Sequence, residues 1–422
     1  MEARFSRSGP LVGTIRPPSD KSLTHRAFLF AGMAQSSSQI HQPLLGEDCL
    51  STLKCLEAMG AVWTATEHGV HLTPAQEWAQ PASELDCGNS GTTMRLLAGL
   101  LASRPLDVTM VGDASLSKRP MRRIAEPLRL MGATVEGDKP PLRIIGANLR
   151  GIDYESPVAS AQVKSCALLA GLRASGVTSV TEPSLSRDHT ERMLSTLGAT
   201  IRREGLKVSV EPGAVWSGFD LSIPADISSA AFWLVAAELV PGSEVNLLEV
   251  GVNPTRTGIL DVLRQTGATH DVREMDGAMG EPVAEINARF SGDLRPFTIE
   301  GDLVPRLIDE IPVLAVLATQ CHGTTVIRDA QELTVKESNR IAVVADHLNA
   351  MGAKVTPTED GMIIEGPTPL RGAHIQAGGD HRIAMAFAVA GLIADGETVI
   401  SGFDSVATSY PDFCAHLEAL RT

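Results

Sequence analysis

Hydrophobic residues in this chain collect in six nearly continuous apolar stretches, each headed by a short polar segment. Ser19-Asp20-Lys21-Ser22-Leu23-Thr24-His25-Arg26 runs into 27–34. Gly88-Asn89-Ser90-Gly91-Thr92-Thr93-Met94-Arg95 runs into 96–101, and Pro157-Val158-Ala159-Ser160-Ala161-Gln162-Val163-Lys164 into 166–172. Pro224-Ala225-Asp226-Ile227-Ser228-Ser229 leads into 230–239, Leu307-Ile308-Asp309-Glu310-Ile311-Pro312 into 313–318, and Gly379-Asp380-His381-Arg382 into 383–394. A capping residue ahead of an apolar run predicts a buried helix. The heads begin at residues 19, 88, 157, 224, 307 and 379, at intervals of 69, 69, 67, 83 and 72. That spacing predicts one duplicated unit.

A second series has the same period. Leu56-Glu57-Ala58-Met59-Gly60-Ala61, Leu128-Arg129-Leu130-Met131-Gly132-Ala133 and Leu194-Ser195-Thr196-Leu197-Gly198-Ala199 are near-copies. Leu263-Arg264-Gln265-Thr266-Gly267-Ala268 and Leu348-Asn349-Ala350-Met351-Gly352-Ala353 continue the series, and Leu417-Glu418-Ala419-Leu420 begins a sixth copy. Each predicts a helix ending at a glycine in the left-handed region, with a strand after it. Brief alternating runs, such as Gly69-Val70-His71-Leu72 and Leu206-Lys207-Val208-Ser209-Val210, predict half-buried strands. The repeat is then β-α-β-α-β-β. Its period exceeds that of the usual solenoids, which predicts two α/β domains of three repeats each. We expect an N-terminal domain over 13–225 and a C-terminal domain over 1–12 plus 226–422. The pattern loosens near 216–225, around Gly213, Gly218 and Pro224. The stretch 273–285 is expected to be an exposed loop or hairpin.

Composition narrows the class. At 43% hydrophobic and 20% charged, the chain is an ordinary globular one. A net charge of −14 argues against nucleic acid as a partner. No C-x-x-C pair occurs and no Cys lies at metal-ligand spacing from a His, so the six cysteines are expected to be small buried or half-buried thiols in a reducing compartment, with no metal. The N-terminus lacks an apolar signal core, and 311–318, the longest apolar run, is too short for a membrane span. The cytoplasm is the expected compartment.

Against that acidic background, cations gather at helix starts. Lys21, Ser22 and Arg26 sit where free N–H groups and the dipole favour an anion. A solvated first turn is the plainer alternative. Ser117-Lys118-Arg119-Pro120-Met121-Arg122-Arg123 holds four basic residues in seven, either a solvated loop or a clamp on a polyanion. Arg187 in Ser186-Arg187-Asp188-His189 opposes the dipole of the helix it begins, which points to an anion nearby. Lys336 and Arg340 stand at i and i+4, which is one face if the stretch is helical. Glu310 is read as a cap, His381 as a structural histidine, and Asp380 as a cap or a partner for Arg382. Many cations and few carboxylates predict a crevice for anionic ligands, closed by domain movement.

These motifs resemble the 5-enolpyruvylshikimate-3-phosphate synthase family, which joins shikimate 3-phosphate to phosphoenolpyruvate. The matching stretches are Pro18-Ser19-Asp20-Lys21-Ser22, Gly88-Asn89-Ser90-Gly91-Thr92, Lys118-Arg119-Pro120-Met121 and Ser160-Ala161-Gln162. Ser186-Arg187-Asp188-His189-Thr190-Glu191, Ile308-Asp309-Glu310-Ile311-Pro312, Val335-Lys336-Glu337-Ser338-Asn339-Arg340 and Gly379-Asp380-His381-Arg382 follow in the family's order. The resemblance implies two inside-out α/β barrel-like domains, with the active site in the cleft between them. It implies that Lys21, Ser22, Arg26, Ser160, Ala161, Gln162, Arg187, Asp309 and Lys336 hold shikimate 3-phosphate. Lys21, Gly91, Arg119, Gln162, Arg340 and Arg382 would hold phosphoenolpyruvate, with Asp309, Glu337 and Lys21 catalytic. No cofactor is implied, and a monomer is expected. Gly91 leaves room beside the donor, so glyphosate is expected to compete with phosphoenolpyruvate.

The chain departs from some members at Ala161, where they carry a second Ser, and at Ala407-Thr408-Ser409-Tyr410-Pro411-Asp412, where they carry a Lys. One alternative is the sister transferase acting on UDP-N-acetylglucosamine. That family usually has Lys-Asn in place of Lys21-Ser22, and a reactive Cys in the loop that here reads 112–120 without one. Another is a non-catalytic phosphate-ligand binder, which would need neither Asp309 nor Glu337.

Overall fold

The computed structural model describes residues 1–421. Its internal contacts divide the chain into two units. The N-terminal unit is Ser19–Ile223 with Gly277–Glu281; the C-terminal unit is Met1–Pro18, Pro224–Asp276 and the chain from Pro282 onward.

The N-terminal unit contains α1 (Lys21–Ala31), α2 (Glu47–Ala58), α3 (Gly91–Ala102), α4 (Arg122–Met131), α5 (Ala161–Gly171) and α6 (His189–Thr196). The C-terminal unit contains α7 (Ile227–Leu239), α8 (Gly258–Thr266), α9 (Ile311–Ala318), α10 (Arg340–Ala350), α11 (His381–Gly391) and α12 (Phe413–Leu420). The odd-numbered helices are the six apolar stretches. α7, α9 and α11 are buried along their whole length and pack on one another. In the other unit α3 packs on both α1 and α5. Its approach to α5 depends on Gly99, where a Cβ would lie 2.2 Å from the Cys166 carbonyl oxygen. Each unit has its own apolar core, and truncating a fully buried side chain such as Leu97 to alanine costs about 2–5 kcal/mol.

The sheets follow the β-α-β-α-β-β repeat. Leu85–Asp86 runs parallel to Asp107–Val111, the crossover being α3. Asp107–Val111 pairs antiparallel with Leu142–Ile145, which pairs antiparallel with Thr134–Glu136. The same order recurs for Asp153–Glu155, Thr178–Thr181, Lys207–Val210 and Ile201–Glu204. Among the described residues there are five four-stranded sheets and one three-stranded sheet. Their helix ends explain the second series: Gly60, Gly132, Gly198, Gly267 and Gly352 all have φ between 81° and 112°. A side chain there would meet the left-handed penalty at every helix-to-strand turn.

Two boundaries differ from the sequence reading. Val12–Ile15, the strand ahead of α1, pairs in parallel with Glu244–Leu247, and Asp220–Ser222, ahead of α7, pairs in parallel with Ser38–His41. The first strands of the first and fourth repeats are thus exchanged, and 13–18 goes with the C-terminal unit. The stretch 273–285 lies in a hairpin of Thr269–Ala278 and Glu281–Arg289, and its tip Gly277–Glu281 goes with the N-terminal unit.

Candidate active site

In the N-terminal unit, Asp20 caps α1 by accepting the Leu23 N–H at 2.8 Å. The cap starts the helix at Lys21 and places Lys21, Ser22 and Arg26 in its first turns. Lys21 Nζ lies 3.0 Å from Asp48 Oδ2, and both side chains are largely shielded. Arg26 is buried inside the unit. Its Nε donates to Thr190 Oγ1 at 2.8 Å, Nη2 to Ser165 Oγ at 3.1 Å and Nη1 to the Ser22 carbonyl at 3.0 Å. Burial pulls its guanidinium down to about 10, which leaves it charged at neutral pH. Arg26 therefore ties α1 to α5 and α6, with three of its five N–H donors spent on the protein.

Ser90 caps α3, accepting the Thr93 N–H at 3.1 Å. Gly91 opens the helix beside two guanidinium groups; a Cβ there would lie 3.0 Å from Arg95 Nη1 and 3.5 Å from Arg119 Nη1. Arg119 donates to Asn89 Oδ1 at 2.6 Å. Of the other basic residues nearby, Lys118 before it and Arg122 and Arg123 in the first turn of α4 are exposed. Gln162, in the first turn of α5, donates from Nε2 to Thr92 Oγ1 at 2.9 Å and accepts from Arg95 Nη1. Gly91, Arg119 and Gln162 are thus gathered where two helices begin, the arrangement that suits a phosphate. Arg95 was missed in the sequence, although it lies one turn beyond Gly91 on the same face. Ser160 caps α5, its Oγ accepting the Val163 N–H at 3.5 Å, and Ala161 is the first helical residue. Arg187 stands on the loop before α6.

In the C-terminal unit, the starts of α9, α10 and α11 bring three predicted residues around Asp309. Lys336 Nζ is 3.5 Å, Arg340 Nη1 3.3 Å and Arg382 Nε 3.9 Å from Asp309 Oδ1. Arg340, 1% exposed, also donates to Glu337 Oε2 at 2.8 Å and to Asp380 Oδ2 at 2.8 Å. Burial works against the Arg340 charge, but Asp380, Glu337 and Asp309 together outweigh it and raise its pKa. Burial likewise opposes ionisation of Asp380, and Arg340 beside it still holds that carboxyl below the usual range. Asp380 does cap α11, through the Arg382 N–H at 3.0 Å, yet its side-chain ion partner is Arg340, not Arg382. Glu310 is a correction. It occupies the N-cap position of α9 in a helical conformation and makes no cap bond. Its buried carboxylate instead accepts from Ser228 Oγ. Among the described residues no cluster of three His, Cys, Asp or Glu side chains is placed to hold a metal ion.

Residues 6–417 match the family described as EPSP synthase (3-phosphoshikimate 1-carboxyvinyltransferase). The chain belongs to the EPSP synthase family. Relatives named 3-phosphoshikimate 1-carboxyvinyltransferase include one from Brevibacillus brevis, 51% identical over 97% of each chain. Another, from Synechococcus, is 50% identical over 99% of this chain and 98% of its own. An EPSP synthase structure from Acinetobacter baumannii superposes with a TM-score of 0.90 at 45% identity, covering 100% of this chain and 98% of that one. The enolpyruvyl transferase NikO from Streptomyces tendae shares the fold, with a TM-score of 0.80 at 19% identity over 99% of this chain and 96% of its own. No described helix is long and apolar enough to cross a membrane.

Proposed function

We propose that this chain transfers the enolpyruvyl group of phosphoenolpyruvate to the 5-hydroxyl of shikimate 3-phosphate, releasing phosphate on the route to chorismate and the aromatic amino acids. The observation that carries the reading is the ring of Lys336, Arg340 and Arg382 around Asp309, in a chain of this family. A carboxylate amid cations suits a step in which a hydroxyl loses its proton while an anionic donor is held in place.

Addition comes first. Asp309 takes the proton of the 5-hydroxyl, whose oxygen attacks C2 of the donor. Glu337 delivers a proton to the methylene, giving a methyl-bearing tetrahedral ketal. Phosphate then leaves, and the methyl returns a proton as the vinyl ether forms. Lys21 assists near the bond being made. Lys21 contacts both substrates, Ser22 and Arg26 hold the carboxylate of the acceptor, and Ser160, Ala161 through its backbone, Gln162, Arg187 and Lys336 hold it mainly at its phosphate. Gly91, Arg119 and Gln162 hold the donor phosphate, and Arg340 and Arg382 its carboxylate. No metal or organic cofactor takes part, and the enzyme works as a cytoplasmic monomer. The experiment is turnover in deuterium oxide. The ketal methyl predicts deuterium in the vinyl methylene of the product, whereas unlabelled product would rule out addition followed by elimination.

A further inference from the structure

Ser160 and Arg187 stand on different loops, and one buried carboxylate joins those loops. Glu182, 4% exposed, follows the strand Thr178–Thr181. Its Oε1 accepts the Ser160 backbone N–H at 2.8 Å, and its Oε2 accepts from Ser186 Oγ at 2.8 Å. Lys164 Nζ lies 2.8 Å from the same Oε2 and 2.9 Å from Glu191 Oε1 in the first turn of α6. Lys164 is 1% exposed, and Arg203 reaches Glu191 at 3.4 Å. The cluster thus fastens the start of α5, the loop carrying Arg187 and the start of α6 to one point.

A buried ion cluster is weak evidence for stability, because apolar side chains of similar volume often serve as well. Its place beneath two anion-binding loops needs another reason. By taking the Ser160 N–H, Glu182 holds Ser160 at φ −145°, the extended conformation from which α5 begins. The free N–H groups left at that helix start are those of Ala161 and Gln162. A lone carboxylate there would repel a phosphate, and Lys164 balances it.

We infer that Glu182 is a positioning residue for the acceptor substrate: it fixes the Ser160 and Arg187 loops at the spacing that receives the phosphate of shikimate 3-phosphate. This rests on the substrate assignment proposed above. The test measures shikimate 3-phosphate binding by calorimetry and steady-state kinetics with each substrate varied. The chains are wild type, Glu182→Gln, and the pair Lys164→Met with Glu182→Gln, which removes both members of that ion pair while Glu191 keeps Arg203. The expected result for Glu182→Gln is a loss of about tenfold in acceptor affinity and a rise of about tenfold in acceptor KM, with KM for phosphoenolpyruvate within about twofold. The double variant should regain the wild-type melting temperature and keep the weakened acceptor binding. Acceptor affinity unchanged in Glu182→Gln, or recovering in step with melting temperature in the double variant, would overturn the inference. Wild type without turnover would sink the proposed reaction instead, while the binding arm still decides the role of Glu182.

Discussion

His25 sits in the second turn of α1 with no exposed surface. Its Nδ1 meets Thr52 Oγ1 at 2.8 Å; Thr52 meets Thr93 Oγ1 at 2.7 Å, and Thr93 donates to Ser90 Oγ at 2.8 Å. This hydroxyl chain ties the starts of α1 and α3 through α2, and Nε2 finds no partner. Burial, with Lys21 and Arg26 adding to it and Asp48 opposing, drops the ring from 6.5 to about 3, so it is neutral in the fold. Because the folded value is depressed, His25 leaves stability intact above the unfolded value of 6.5. Stability is then lost as pH falls from 6.5 toward 3, since only the unfolded chain takes the proton. From 6.5 to about 3 the full loss is roughly 5 kcal/mol, of which about 2 kcal/mol falls between pH 8 and pH 5. Against a total of about 5–15 kcal/mol, either amount is measurable. His25→Asn removes the titration while keeping an amide toward Thr52. Urea unfolding should be followed by tryptophan fluorescence, because Trp78 and Trp216 donate to the Gly32 and Phe30 carbonyls at the end of α1. Wild type should lose about 2 kcal/mol more than His25→Asn between pH 8 and pH 5. Parallel pH dependences would refute the reasoning, whatever the absolute stability of the variant.

Other outcomes follow from the two cation sets. Asp309→Ala and Glu337→Gln should each lower kcat by about 10²–10⁴ with the melting temperature retained; near-normal kcat in either would remove that residue from proton transfer. Arg340→Met leaves Asp309, Glu337 and Asp380 without their shared cation, and should cost about 3–5 kcal/mol by denaturant unfolding; a loss under 1 kcal/mol would mean that the carboxylates do not depend on it. Gly91→Ala places a methyl 3.0 Å from Arg95 Nη1, so KM for phosphoenolpyruvate should rise about tenfold while acceptor KM holds; equal changes in both would argue against a donor role for Gly91. Glyphosate should compete with phosphoenolpyruvate, and inhibition indifferent to donor concentration would count against it.

The repeat was legible because it is written in local terms. A cap, an apolar run and a glycine at the next helix end recur in sequence, and Asp20, Ser90, Ser160, Asp226 and Asp380 all cap as such residues do. The exchange of Val12–Ile15 with Asp220–Ser222 was less so. Strands of four and three residues carry too little pattern to name their partners, and tertiary packing chooses. In the site, the helical face expected for Lys336 and Arg340 does not form, because Lys336 is extended and α10 begins at Arg340; the two meet at Asp309, and Asp380 and Arg382 join them, because α9, α10 and α11 pack together. Glu310 misled for a related reason. A Glu before an apolar helix is ordinarily a cap, and only Ser228, far away in sequence, shows where its carboxylate goes. Glu182 lies outside every motif, so nothing local marked it.

The most direct measurement is phosphate release from phosphoenolpyruvate in the presence of either shikimate 3-phosphate or UDP-N-acetylglucosamine, with mass spectrometry of the product. The account predicts release with shikimate 3-phosphate alone and a product heavier by one enolpyruvyl group. Release with UDP-N-acetylglucosamine, or none with either acceptor from folded protein that binds both ligands, would contradict it.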